Sequence, residues 1–257
     1  MPRRTRSAVL VIDIGNTSTS FGVYAGKRVL KSARLATRVR SRDAVARALA
    51  HLVGRTMLEG VVLSSVVPSV NAVWLRAVRT RWPRARVLRV NQRLKLGVRV
   101  TYPRPETIGA DRLANACAAV SRYGAPAIVA DFGTAVTFDV ISRSKGYIGG
   151  VIAPGLPLMF SYLAEKTALL PRIGPGRAKH GVGKSTVEAM RLGAVWGYRG
   201  LVREIIGELT DNLGERNIKL CATGGYASWV LRGSGLRIPI DPDLTLYGLG
   251  RIYELNR

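Results

Sequence analysis

The chain has 257 residues, 47% of them hydrophobic and 22% charged, which suits a folded globular protein and excludes disordered, collagen-like and coiled-coil classes. Two cysteines are too few for a disulfide framework or a structural zinc. No run approaches the roughly 20 apolar residues of a membrane helix, and the short apolar opening, cut by Asp13, is no signal peptide, so a cytoplasmic protein is expected. Forty basic against sixteen acidic residues leave a net charge of +24, a field that attracts anions, although arginines scattered over helix-like segments also describe a solvated surface.

In chain order, Ala8–Ile14 reads as a buried strand. Turns at Gly15–Ser18 and Ala25–Gly26 join it to strands over Phe21–Tyr24 and Val29–Ala33. Ser41 is placed to cap a helix over Arg42–Gly54, with Val45, Leu49, Leu52 and Val53 on one face. Gly60–Val66 is another strand, and Ser69 is placed to cap a second helix on which Val70, Val73, Trp74, Ala77 and Val78 keep helical spacing. Residues 110–122 make a third helix, with Leu113, Ala116, Cys117 and Val120 facing inward.

The opening theme then returns. Ala125–Asp139 repeats the strand, Asp-x-Gly turn and strand of Ala8–Phe21, so that Asp13 and Gly15 correspond to Asp131 and Gly133. Alternating strands and amphipathic stretches predict an α/β fold, and the repeat predicts two similar domains, 1–117 and 118–257.

A strand that ends in Asp-x-Gly followed by hydroxyl residues has a chemical logic. Glycine lets the backbone turn sharply and approach a ligand. Exposed amides, with the hydroxyls of Thr17, Ser18 and Thr19 or of Thr134, can donate to phosphate oxygens. The carboxylate at the strand end can hold a cation that screens those phosphates. Leu220–Gly225 adds a third strand running into a glycine turn, suited to a flat base. Asp13 alone would also suit an Asx-turn; three such turns in this order favour nucleotide binding.

The segments VIDIGNTSTSFGVY (11–24), SSVVPS (64–69), YPRPETIGADRLANA (102–116), VADFGTAVTFDV (129–140), GYIGGVIAPG (146–155), STVEAMRLGAVWGYRGLV (185–202), ATGG (222–225) and DPDLTLYGL (241–249) resemble, in order, those of the type III pantothenate kinase family, within the actin-like ATPases. The resemblance implies a duplicated actin-like (ribonuclease H-like) ATPase fold, two domains around a nucleotide cleft. It implies ATP-dependent phosphorylation of pantothenate to 4'-phosphopantothenate, the first step of coenzyme A biosynthesis. Asp13, Ile14, Gly15, Asn16, Thr17, Ser18, Thr19 and Ser20 then form the ATP-phosphate loop, with Asp13 near magnesium, and Thr134 is a further ATP contact. Gly109, Ala110, Asp111 and Arg112 form the substrate motif, with Asp111 as the catalytic proton acceptor; Tyr102 and Thr186 fall on pantothenate positions. Asp131 falls on the ligand of a monovalent cation, potassium or ammonium. A homodimer, with the pantothenate pocket completed near the subunit interface, is also implied. Ser185 stands where the family usually has Asn.

An ordinary aspartate is a feeble base towards an alcohol. Phosphoryl transfer passes through a loose transition state, so Asp111 would chiefly orient the hydroxyl and accept its proton late. An Asp at a helix start is equally suited to the helix dipole. Ala178–Thr186 only mimics a Walker A loop, because its first glycine is replaced by Ala178 and no strand feeds it. His51 and His180 have no partner at ligand spacing, and Trp74, Trp82, Trp196 and Trp229 are dispersed as packing residues are. The competing reading is a nucleic-acid-binding or transcription-accessory protein, since Arg76–Arg99 is dense in basic residues and free of acidic ones. Against it, no nucleic-acid-binding motif is present in that stretch.

Overall fold

A computed structural model describes residues 8–39, 41–176 and 181–257; His180 and the first residues of the Walker-like stretch lie outside them. The chain divides into two compact units. Residues 1–124, 145–147 and 243–257 form the first, and residues 125–144 and 148–242 the second.

The first unit is built on β1 (Ala8–Ile14), β2 (Ser18–Ala25), β3 (Arg28–Ala36), β4 (Leu58–Ser65) and β5 (Arg86–Arg89), in the order β3-β2-β1-β4-β5. β1 runs antiparallel to β2 and parallel to β4. Helices cover both faces of this sheet, which is why β1 reads as a continuous apolar run and not an alternating one. On one face Leu10, Ile12, Ile14, Phe21, Val23, Val61 and Leu63 pack against α1 (Arg42–Val53) and α2 (Pro68–Arg81). On the other lie α3 (Ala110–Tyr123) and α7 (Leu244–Leu255).

The sequence places the start of α1 correctly: Ser41 Oγ accepts from Ala44 N. Ser69 is not a cap. Pro68 opens α2 after Val67, because its fixed φ and missing N–H suit the first helical position. Ser65 instead organises this start, accepting from Val67 N at 3.1 Å and donating to Asn71 Oδ1 at 2.6 Å.

The second unit carries β6 (Ala127–Phe132), β7 (Ala135–Ser142), β8 (Gly146–Pro154) and β9 (Lys219–Thr223), in the order β8-β7-β6-β9; the first two residues of β8 count with the first unit. β6 is antiparallel to β7 and parallel to β9. α4 (Leu156–Lys166), the 28-residue α5 (Thr186–Leu213) and α6 (Ala227–Leu231) complete it, and Phe132, Phe138, Phe160, Tyr198 and Val202 fill its core. The order β8-β7-β6-β9 repeats β3-β2-β1-β4 with the same strand directions about the central strand, so the repeat seen in sequence is an architectural duplication.

The division departs from a single cut near residue 117. Asp243–Arg257 belongs to the first unit, where α7 packs on α3, β1, β2 and β4. Among the described residues no helix is long and apolar enough to cross a membrane.

Candidate active site

The strand alternation sorts the first loop. On β1 and β2, Ile14 and Thr19 point into the α1/α2 core and are buried, whereas Asp13 and Ser20 are cross-strand partners on the opposite face. Asn16 and Thr17 are exposed at the turn, and Ser18 is half-buried. Thr19 therefore departs from expectation. Its hydroxyl is fully buried and shared with Thr37 Oγ1 at 3.1 Å, so the side chain braces the turn from inside and presents no donor outward. Ile14 likewise offers only its backbone.

Thr37 is the residue that sequence reasoning missed here. Its hydroxyl donates to Gly15 O at 2.6 Å, and its backbone N–H donates to Thr17 O at 3.0 Å. Gly15 N in turn donates to Ser18 O at 3.1 Å. The turn that presents Asn16 and Thr17 is thus tied at both ends from the end of β3.

Val66 N donates to Ile14 O at 3.0 Å, and Val66 flanks Gly109, the residue that precedes α3. The helix that carries Ala110, Asp111 and Arg112 therefore begins at the carboxyl ends of β1 and β4, beside the first loop. Asp111 lies in the first turn of α3, where the helix dipole favours a negative charge. Burial nevertheless pushes its carboxyl above the ordinary carboxylate range, against the pull of the Arg112 backbone N–H, 2.8 Å from Oδ1, and of the Arg112 guanidinium. The balance makes Asp111 a stronger base than a solvated aspartate.

Arg112 and Tyr102 are brought together by a residue not singled out as a site residue from sequence, Tyr147. Its ring is fully buried, meets Tyr102 edge-on at 6.4 Å and lies 5.9 Å from the Arg112 guanidinium carbon. Tyr147 N donates to Arg99 O at 2.8 Å and Thr101 N to Tyr147 O at 3.0 Å, so the strand start and the approach to Tyr102 are zipped together. Its place in GYIGG, a segment otherwise of small and aliphatic residues, was the available signal.

In the second unit Asp131 ends β6 as Asp13 ends β1, paired with Thr137 on one side and Thr223 on the other. The turn that follows is closed by Gly133 N donating to Ala135 O and by Gly155 N donating to Thr134 O, at 3.1 and 3.0 Å. Gly224, the third glycine turn, has φ +92°, and a side-chain carbon there would fall 2.5 Å from Phe132 O and 2.6 Å from Asp131 Oδ1. Only glycine lets β9 turn this close to the carboxylate. Thr186 is exposed on the first turn of α5, behind an N-cap in which Ser185 Oγ accepts from Glu188 N, while Glu188 accepts from Lys184 N. Ser185 thus performs the cap that an Asn would also perform.

Among the described residues no three His, Cys, Asp or Glu side chains converge on one point. Cys117 and Cys221 are buried with thiols pushed up to about 12 by burial, which removes them as nucleophiles.

Duplicated sheets whose central strands end in an acid and a glycine turn define a protein of the actin-like ATPase fold. A ROK hexokinase of Thermus thermophilus superposes with TM-score 0.50 at 14% identity, over 95% of this chain and 98% of that one. A Campylobacter jejuni protein described as a Baf family transcriptional activator superposes with TM-score 0.61 at 18% identity, over 95% and 97% of the two chains. At such identities the likeness shows the fold alone. A family profile described as type III pantothenate kinase matches residues 9–208, and a type III pantothenate kinase of Akkermansia muciniphila is 44% identical over 96% of this chain and 98% of its own length. The chain belongs to the type III pantothenate kinase family. The nucleic-acid-binding alternative has no support from the family match or the curated relatives.

Proposed function

We propose that this kinase transfers the γ-phosphoryl group of ATP to the hydroxyl of pantothenate, giving 4'-phosphopantothenate for coenzyme A synthesis. The observation that carries this reading is the placement of α3: Asp111, a carboxyl with raised proton affinity, starts a helix at the strand ends that form the acid-and-glycine loop. Asn16 and Thr17, exposed on the turn, receive the phosphates with the hydroxyls of Ser18 and Ser20 beside them, Gly15 shapes the turn, Asp13 faces the nucleotide's magnesium, and Thr134 is a further ATP contact. Tyr102, Arg112 and Thr186 hold pantothenate, with Arg112 suited to its carboxylate. Asp111 aims the hydroxyl at the γ-phosphorus and takes its proton as the P–O bond forms; the leaving ADP keeps the electrons of the broken bond.

The donor sets suit the ions of this reading. A single carboxylate with neighbouring hydroxyls suits magnesium, which keeps most of its waters and is held chiefly by nucleotide phosphates; Asp13 with Ser20 beside it supplies that set. Asp131 Oδ1 and Phe132 O crowd around Gly224 as hard oxygen donors fit for potassium or ammonium. Bound there, such an ion offsets phosphate charge. A homodimer belongs to the same reading, with exposed Ile152, Tyr162 and Trp196 offering apolar surface. Two buried free cysteines agree with a reducing cytoplasm.

The test is ATP consumption across a small panel of hydroxy-acids, with and without potassium. Pantothenate should be turned over selectively, with potassium stimulation that Asp131→Asn abolishes. Turnover of pantothenate no faster than of the other acids would reject the substrate, and an unchanged potassium response in Asp131→Asn would reject the cation role.

A further inference from the structure

Ser64 stands at the carboxyl end of β4, is fully buried, and has no hydrogen-bond partner for its Oγ. Such a group is costly to leave unsatisfied, and its persistence calls for a partner that arrives with a ligand. Its neighbour Ser65 is fully occupied by the α2 start, so the pair of serines divides into one structural residue and one unexplained.

Register shows where the Ser64 hydroxyl points. Asp13 is the lateral partner of Ser20 on β2 and of Ser64 on β4, so the three side chains rise from one face of adjacent strands spaced about 4.8 Å apart. That face is the one covered by α3 and α7, because Ile12, Ile14 and Leu63 occupy the other. The row is therefore hydroxyl, carboxylate, hydroxyl. Architectural duplication supplies an independent copy: in the second sheet Asp131 is flanked in the same positions by Thr137 and Thr223. Each acid-tipped central strand is bordered on both sides by a hydroxyl, and Ser64 corresponds to Thr223.

We propose that Ser64 is a positioning residue for the nucleotide's divalent cation, its hydroxyl taking a cation-bound water beside Asp13. The proposal rests on the reading of Asp13 as the residue nearest magnesium. Ser64 then holds the hydration shell on the β4 side of the carboxylate; on the β2 side the Ser20 hydroxyl accepts from Arg34 Nε at 3.3 Å, which fixes its orientation. Groups that act through a metal's hydration or ligand shell are worth about 10–100-fold in metal affinity, and a single neutral hydroxyl belongs at the low end.

The test is ADP binding by calorimetry on the full chain across a magnesium titration, with Asp13→Asn, Ser64→Ala and Ser64→Thr beside the wild type. Ser64→Ala should raise the magnesium concentration for half-maximal ADP affinity by about tenfold, leave ADP affinity without magnesium unchanged, and be rescued by Ser64→Thr. Its ligand-free Tm should equal or exceed that of the wild type, since the substitution removes an unsatisfied hydroxyl. A Ser64→Ala curve that overlays the wild type while Asp13→Asn shifts overturns the proposal. If neither variant shifts, the reading of Asp13 itself fails. A lowered ligand-free Tm with no magnesium effect would make the hydroxyl purely structural, and a change confined to the pantothenate KM would assign it to the acceptor side; either result overturns it.

Discussion

In the proposed reaction, Asp111 is where chemistry and stability pull in opposite directions. Burial raises its proton affinity, so the ionised form is costlier in the folded chain than in the unfolded one. For an acid whose folded-state pKa lies above its unfolded value, the native state binds more protons between the two, and stability falls as pH rises through the folded pKa. The charge is thus a destabilising element at working pH, compensated elsewhere in the fold. Asp111→Asn should lower kcat by at least about 100-fold, the scale of a positioned general base, while raising Tm by a few degrees at pH 8, since at this chain size each kcal/mol is worth about 2–4 °C. The stabilisation should shrink as the pH falls and the wild-type carboxyl takes up its proton, and the wild-type kcat should fall with it. Thermal unfolding and steady-state rates over pH 5–9 check both. Loss of stability in Asp111→Asn at pH 8 would mean that the carboxylate is held for the fold.

At the scale of elements, the β1–β2 turn owes its shape to a threonine beyond the end of β3. Thr37 closes it with two hydrogen bonds to the turn and a third shared with Thr19. Thr37→Val keeps the shape and removes the hydroxyl, orphaning Gly15 O and Thr19 Oγ1 inside the fold. Each buried group left unsatisfied costs about 1–3 kcal/mol, so denaturant unfolding should show a loss of that order. The ATP KM should rise several-fold while the pantothenate KM holds, because the phosphate turn loosens and the α3 start does not. Equal effects on both KM values would indicate a general loss of order. Nothing local in the sequence marks Thr37: β3 is an exposed edge strand, and the role depends on a partner 22 residues away. By contrast β1, the turns after Asp13 and Asp131, and the apolar faces of α1 and α3 were legible, because burial on both faces or helical spacing writes itself into consecutive residues. α7 was not. Gly248 and Gly250 weaken its helical signal, yet a side-chain carbon at Gly248 would sit 2.0 Å from Ala114 O. The close approach of α7 to α3 demands what helix propensity disfavours, and only tertiary structure shows it. Tyr147 escaped notice similarly, since its stack with Tyr102 and Arg112 joins three separate stretches of chain.

The charge belongs to the molecule as a whole. Arg76, Arg79, Arg81, Arg84, Arg86, Arg89, Arg93 and Arg99 are all exposed along and after α2, and the net charge is +24. MgATP and pantothenate are both anions, and membership of a kinase family replaces the nucleic-acid reading of this surface with a question about encounter rates. A long-range positive field concentrates anionic substrates near the protein, an effect that acts on association and is screened over about 8 Å at physiological ionic strength. It has little hold on a transition state already enclosed by its contacts. With magnesium and potassium held constant and choline chloride varied, kcat/KM for both substrates should fall by about 3–10-fold from low to high salt, the lower range of steering effects, while kcat changes less than twofold. MgATP should show the steeper fall because it carries the larger charge. Parallel losses in kcat would point to salt acting on the bound state, through the cation proposed for Asp131 or through stability. A flat kcat/KM would mean that the arginines are a solvated coat with no part in capture.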